Sequence, residues 1–214
     1  MLFDTHAHYD DERFDEDRNA LLASMPENNV GLILNPGCDA ETSRKAVGYA
    51  NRYPFVYAAV GLHPENIEDG WTQTLDEIRT LAQSEPRVRA IGEIGLDYYW
   101  EKEERARARQ QVVFARQMEL ARELLERGYY LSFTGVITFK NAKKAIEVIR
   151  EVPIERLMVE TDSPYMAPEP FRGRRNSSLY VYRMAEKIAE IKGMPVEDVE
   201  RITTENGRRL FGIV

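Results

Sequence analysis

The stretch Met1-Leu2-Phe3-Asp4-Thr5-His6-Ala7-His8 is a short apolar run that ends in two histidines. Residues i and i+2 of a strand point to the same side, so both imidazoles can aim at one point in space. The chain has three histidines in all, and two of them stand here. Neutral imidazole is the commonest metal-ligating side chain. Two surface histidines or the remnant of a tag are the alternative reading; the flanking Phe3, Asp4 and Thr5 read as native strand.

Working outward, short β-rich runs recur at 1–4, 30–35, 55–61, 88–95, 129–134 and 157–161. Helical patterns lie at 11–25, 40–52, 75–83, 103–127, 141–150, 177–192 and 196–210. Gly128 is placed to close the long fourth helix, and Pro195 suits the first turn of the last one. Six strands alternating with helices imply βαβ units and a parallel sheet. No composition shift or low-complexity linker interrupts the chain, so residues 1–214 read as one domain.

In such sheets functional groups gather at the carboxyl ends of strands. His6 and His8 follow the first strand, His63 in Gly61-Leu62-His63-Pro64 follows the third, Glu93 ends the fourth, and Asp162 ends the sixth. All fall on one rim.

Glu93 lies between Ile91 and Ile94 with glycines on either side. A carboxylate in an apolar strand is costly unless paired or metal-bound. Metal ligation and a salt bridge are the two readings. Asp162 can ligate a metal, orient a water, act as general base, or simply form an Asx turn before Ser163-Pro164. His63 is read as holding a substrate phosphate or lying near the metal, or as an ordinary loop histidine. Phe171-Arg172-Gly173-Arg174-Arg175-Asn176 is a compact basic loop, and arginine matches phosphate geometry bidentately. Arg172, Arg174 and Arg175 are therefore anion-binding candidates, with a solvated loop as the alternative. Asp97-Tyr98-Tyr99-Trp100 reads as a cleft wall, a base-stacking surface or core.

The chain has 214 residues and a net charge of −7, which argues against a broad nucleic-acid-coating surface. Any phosphate chemistry needs metal ions or a small arginine cluster. No apolar run approaches the roughly 20 residues of a membrane helix, and the start lacks signal-peptide character, so the expected location is cytoplasmic. The single cysteine, Cys38, excludes an internal disulfide and reads as a turn residue without a role.

Taken together these segments resemble the TatD family of metal-dependent deoxyribonucleases, within the amidohydrolase-like barrel superfamily. The resemblance rests on 3–8, 59–64, 91–99, 160–165, 171–176 and the closing Thr204-Glu205-Asn206-Gly207-Arg208-Arg209-Leu210-Phe211. It implies a TIM-barrel-like parallel (β/α) fold with a divalent metal centre at the carboxyl rim. It also implies hydrolysis of phosphodiesters, with DNA trimmed from its 3′ end, on single strands or 3′ ends. His6, His8, Glu93 and Asp162 match metal-centre positions, Glu93 as the residue bridging two metals. Mg, Mn or Zn suits such mixed oxygen and nitrogen donors.

The chain departs from the family pattern in one respect. Two further ligand histidines, expected on the strands after the Glu strand, are absent, and no histidine follows His63. Six strands stand where eight are expected. The junction falls within 122–127, as if two consecutive βα units were missing and two half-helices were spliced into one. Loss of two units exposes strand edges at 88–95 and 129–134, which predicts closure by a homodimer or by helix rearrangement. The remaining ligands suffice for one ion, which predicts impaired nuclease activity. Two competing readings follow: a catalytically inactive relative that keeps one metal as a binding or structural protein, and a hydrolase of small esters or amides.

Overall fold

A computed structural model of the chain describes residues 1–97, 100–124, 130–140 and 142–213. Tyr98, Tyr99, residues 125–127, Gly128, Tyr129 and Asn141, to which parts of the sequence reading refer, lie outside the described residues. The chain forms two compact units, Met1–Leu34 with Gly128–Val214, and Asn35–Arg127.

The first unit contains β1 (Leu2–Asp4), α1 (Arg18–Ser24) and most of β2 (Val30–Pro36). It continues with β5 (Leu131–Phe133), α5 (Lys143–Glu151), β6 (Leu157–Val159), α6 (Tyr182–Lys192) and α7 (Val196–Leu210). β1 pairs with β2 in parallel (Phe3↔Leu32, Asp4↔Ile33), and β5 with β6 (Ser132↔Met158). Leu2, Phe3, Ile33, Leu157 and Val159 are buried. Burying each such side chain stabilises by about 1.5–3 kcal/mol. α7 packs where Phe3 meets Phe211 edge-on at 5.7 Å. A Cβ on Gly207 would come within 2.6 Å of the Phe3 ring, so only glycine lets helix and strand approach this closely.

The second unit holds α2 (Ala40–Arg52), β3 (Val56–Val60), α3 (Trp71–Ser84), β4 (Val88–Ile91) and α4 (Glu104–Leu124). β3 and β4 pair in parallel (Ala59↔Ala90, Val60↔Ile91). A capping box of Asp39 and Thr42 starts α2. The loop after β3 is clamped from α4: Gln117 Oε1 accepts from Leu62 N at 2.7 Å, and Gln117 Nε2 donates to Leu62 O at 2.9 Å. Gln117 is buried. Gln117→Leu strands both backbone groups and should lower stability by roughly 2–4 kcal/mol in chemical denaturation. A loss below about 0.5 kcal/mol overturns the clamp.

Several expected boundaries move, each for a local reason. The first helix, expected over 11–25, breaks into a three-ten turn (Glu12–Phe14) and α1. Arg18 donates to the carbonyls of Tyr9 and Asp11 and to Asp15, and buried Phe14 anchors the turn. α3 starts at Trp71 because Gly70, at φ 94, makes the entry turn. Pro195 sits at the N-cap, one residue before the helix. The expected 177–192 helix opens with a separate three-ten turn (Ser178–Tyr180), whose Ser178 hydroxyl is drawn to buried Asp4. The strand expected over 88–95 stops at Ile91. Among the described residues no helix is long and apolar enough to cross a membrane.

Candidate metal centre

In the first unit, the segments that follow β1 and β6 are laced together. Thr5 N donates to Val159 O, Asp162 N to His6 O, and His8 N to Ser163 O, at 3.2, 2.8 and 2.7 Å. This lacing converts a long separation in sequence into contact. His6 Nε2 and His8 Nε2 lie 3.0 Å apart, and Asp162 Oδ1 is 3.7 Å from each. Asp162 has φ 56, a left-handed conformation in which aspartate is enriched among non-glycine residues. His8 is buried, while His6 and Asp162 keep partial solvent access.

A divalent ion with nitrogen ligands at about 2.0–2.1 Å and a near-right angle between them sets those nitrogens about 3 Å apart. The His6–His8 separation meets that requirement, and Asp162 supplies an oxygen donor on the same side. The donor set fits a metal.

Beneath these ligands lies Asp4, fully buried. Its carboxylate accepts from Thr161 N at 2.9 Å, the Thr161 hydroxyl at 2.6 Å, His6 N at 3.3 Å and the Ser178 hydroxyl. Ser178 also bonds the buried Tyr9 hydroxyl. Burial pushes the Asp4 carboxyl up to about 6, and these hydrogen bonds oppose the rise. Burial likewise raises the Tyr9 phenol. Sequence reading passed over Asp4, although the argument applied to Glu93 applies to it: an acid inside an apolar strand must be paired.

In the second unit Glu93 follows β4. Its N–H donates to Gly37 O at 2.8 Å. A Cβ on Gly61 would stand 2.6 Å from Gly92 C and 2.9 Å from Glu93 N, so Gly61 allows this close approach. His63 Nε2 lies 3.9 Å from Glu93 Oε1, and Cys38 Sγ lies 3.8 Å from Glu93 Oε2. His63 Nδ1 accepts from Glu65 N at 3.3 Å, which leaves Nε2 as the ring nitrogen nearer Glu93. Cys38, read from sequence as a turn residue without a role, is thus a neighbour of Glu93. It also receives His63 N on its carbonyl at 2.8 Å.

The arginine loop belongs to the first unit and is less open than its sequence implies. Arg175 forks onto Asp17 at 2.7 and 2.5 Å and lies over the Phe14 ring. That fork holds the Asp17 carboxyl below the usual carboxylate range. Arg172 stacks on Phe139 at 4.5 Å, and Arg174 is exposed. The structure therefore gives Arg175 an internal carboxylate and leaves Arg172 and Arg174 as the loop's outward cations.

The TatD related DNase family matches residues 3–126 and 121–212. An uncharacterized metal-dependent hydrolase of Bacillus subtilis, YabD, is 38% identical over 255 positions, covering 100% of both chains. YcfH of Escherichia coli K12, also described as an uncharacterized metal-dependent hydrolase, is 32% identical over 261 positions, with 100% of this chain and 96% of that one covered. Among solved structures, the TatD homolog YjjV of Escherichia coli K12 superposes with a TM-score of 0.87 at 26% identity, over 100% of this chain and 98% of that one.

Fold and donor set together define the class: a metal-dependent hydrolase of the parallel α/β barrel type, here with an incomplete barrel. Within that class, the chain belongs to the TatD related DNase family. The alignment with YabD also measures what is missing: 255 positions minus 214 residues leaves 41 without a residue in this chain. The two family matches meet at 121–126, beside the junction expected at 122–127.

Proposed function

We propose that the protein is a phosphodiesterase acting on DNA, trimming single strands or 3′ ends. The observation that carries this reading is the convergence of His6 Nε2, His8 Nε2 and Asp162 Oδ1. His6, His8 and Asp162 would hold a divalent ion (Mg, Mn or Zn), and Glu93 matches the family's metal-ligand position. When bound, such an ion supplies Lewis acidity toward a phosphoryl oxygen and an attacking water. Asp162, part-exposed, orients that water and takes its proton. Arg172 and Arg174 neutralise the substrate phosphate, Arg175 fixes the arginine loop through Asp17, and His63 serves as a hydrogen-bonding group for a phosphate.

Nucleotide release from single-stranded DNA should be stopped by a chelator, restored by added metal, and lost in Glu93→Gln. Chelator-insensitive release, or full activity in that variant, overturns the reading. A second reading has its own observation: no histidine follows His63, so the family's further ligand pair is absent. On that reading the chain is a non-catalytic relative that keeps one metal. Stoichiometric metal binding without turnover would favour it.

The proposal extends to self-association. Among the described residues β4 pairs only with β3 and β5 only with β6, and Leu131 on β5 is exposed. Unpaired apolar edges recruit strands. Light scattering should report a dimer, and a monomer with one cooperative unfolding transition would refute it.

A further inference from the structure

We propose an anion site at the start of β4, in which Arg89, beside the Tyr57 ring, holds a phosphate group. Arg87 immediately precedes β4 and Arg89 is its second residue, and both guanidinium groups reach the same ring. The β3–β4 register, with Ala58 opposite Val88, sets Tyr57 beside them. The Arg87 guanidinium carbon lies 4.2 Å from the Tyr57 ring centroid, and that of Arg89 lies 5.7 Å from it. Two cations thus share one aromatic ring.

Arg87 is accounted for within the fold. Its Nη2 donates to Pro54 O at 2.7 Å, to Tyr53 O at 3.4 Å and to Val56 O, tying the turn from α2 into β3. Arg89 is not accounted for. Among the described residues it has no hydrogen bond and no ion pair, and its Nε is buried without an acceptor, as is that of Arg87. A buried guanidinium N–H without an acceptor is costly, and two neighbouring cations repel.

This lack of counter-charge is unusual for the molecule. Acids outnumber bases by 36 to 29. Arg44, Arg109, Arg175 and Arg183 each pair with a carboxylate. Around Tyr57 no carboxylate comes within ion-pair distance of either arginine among the described residues. An oxyanion with several acceptors would pair with the terminal guanidinium nitrogens of Arg89 and offset the repulsion between the two cations. Phosphate fits that description, and it comes either as the free ion or within a nucleic-acid strand. The site lies at the start of β4, about 13 Å along the chain from Glu93 at roughly 3.3 Å per residue. Occupancy here therefore reports on anion binding independently of hydrolysis.

The test is calorimetric titration of the full chain with inorganic phosphate and, separately, with a short single-stranded DNA blocked against hydrolysis. Wild type, Arg89→Gln and the control Arg44→Gln are compared. Phosphate affinity should fall at least about tenfold in Arg89→Gln and stay unchanged in the control, with far-ultraviolet circular dichroism confirming that all three are folded. Arg89→Lys, which keeps the charge without the fork, should fall between. If the DNA loses the same affinity, the strand is a source of the phosphate; if only inorganic phosphate does, the free ion is. No binding by wild type, or equal binding by Arg89→Gln, overturns the site.

Discussion

Replacing His8 with alanine is expected to lower metal-dependent hydrolysis by about 10³-fold or more while leaving the fold in place. Losing several kcal/mol of charge stabilisation costs a factor of ten per 1.4 kcal/mol. The two effects are separable because the backbone, not the imidazole, secures this segment: His8 N donates to Ser163 O, and Ala7 N donates to Leu34 O at 3.1 Å. The variant should therefore unfold within a few degrees of wild type in the presence of chelator. With metal at 100 times its dissociation constant, wild type gains about 2.7 kcal/mol, and that gain should vanish in the variant. Measured turnover within tenfold of wild type, or an undiminished metal-induced rise in Tm, would show that His6 and His8 meet for another reason. A shared proton between the two rings is one such reason, since 3.0 Å is also hydrogen-bond distance.

The strand-end rule made this pair readable before any coordinates. His6 and His8 sit two residues apart after an apolar run, and parallel sheets put chemistry at that end of a strand. The join with Asp162 was not readable from spacing. It depends on backbone bonds from His6 O and His8 N to residues more than 150 positions away. Helix ends failed where side chains override pattern. Arg18 pulls three oxygens around itself and breaks the first helix, and Ser178 leaves the helical register to reach Asp4. Cys38 carried no signal, because a lone cysteine in a Pro-Gly turn looks the same whether or not a glutamate lies beside it. The missing segment left a compositional trace, the lack of any histidine after His63, and the two overlapping family matches locate it. Arg89 illustrates the opposite limit: sequence shows one more arginine in a strand, and only the structure shows that, among the described residues, no acid pairs with it.

Asp4→Ala should be the most damaging single change to stability, at about 3–5 kcal/mol near neutral pH. The substitution removes the acceptor for two hydroxyls and two backbone N–H groups at once, all buried or partly buried. Orphaning buried donors in a connected network carries the upper range of such costs. The network also supports the ligands above it, since Asp4 holds His6 N and Thr161 stands next to Asp162. Metal affinity should therefore fall as well, although Asp4 touches no ion. Its pH dependence has a defined sign. Burial raises the folded carboxyl from 3.8 to about 6, so the folded chain binds the proton more tightly than the unfolded chain does. The associated stability is fully present below about pH 4 and is lost as pH rises through about 6. At about 1.4 kcal/mol per pH unit, that window holds roughly 3 kcal/mol. Asp4→Asn cannot titrate, so the stability of wild type relative to Asp4→Asn should decline by that amount between pH 4 and pH 7 in urea titrations. A flat difference across the window would mean that the hydrogen bonds to Asp4 fully offset its burial. A rising difference would reverse the sign, and the carboxylate would then be the preferred buried form.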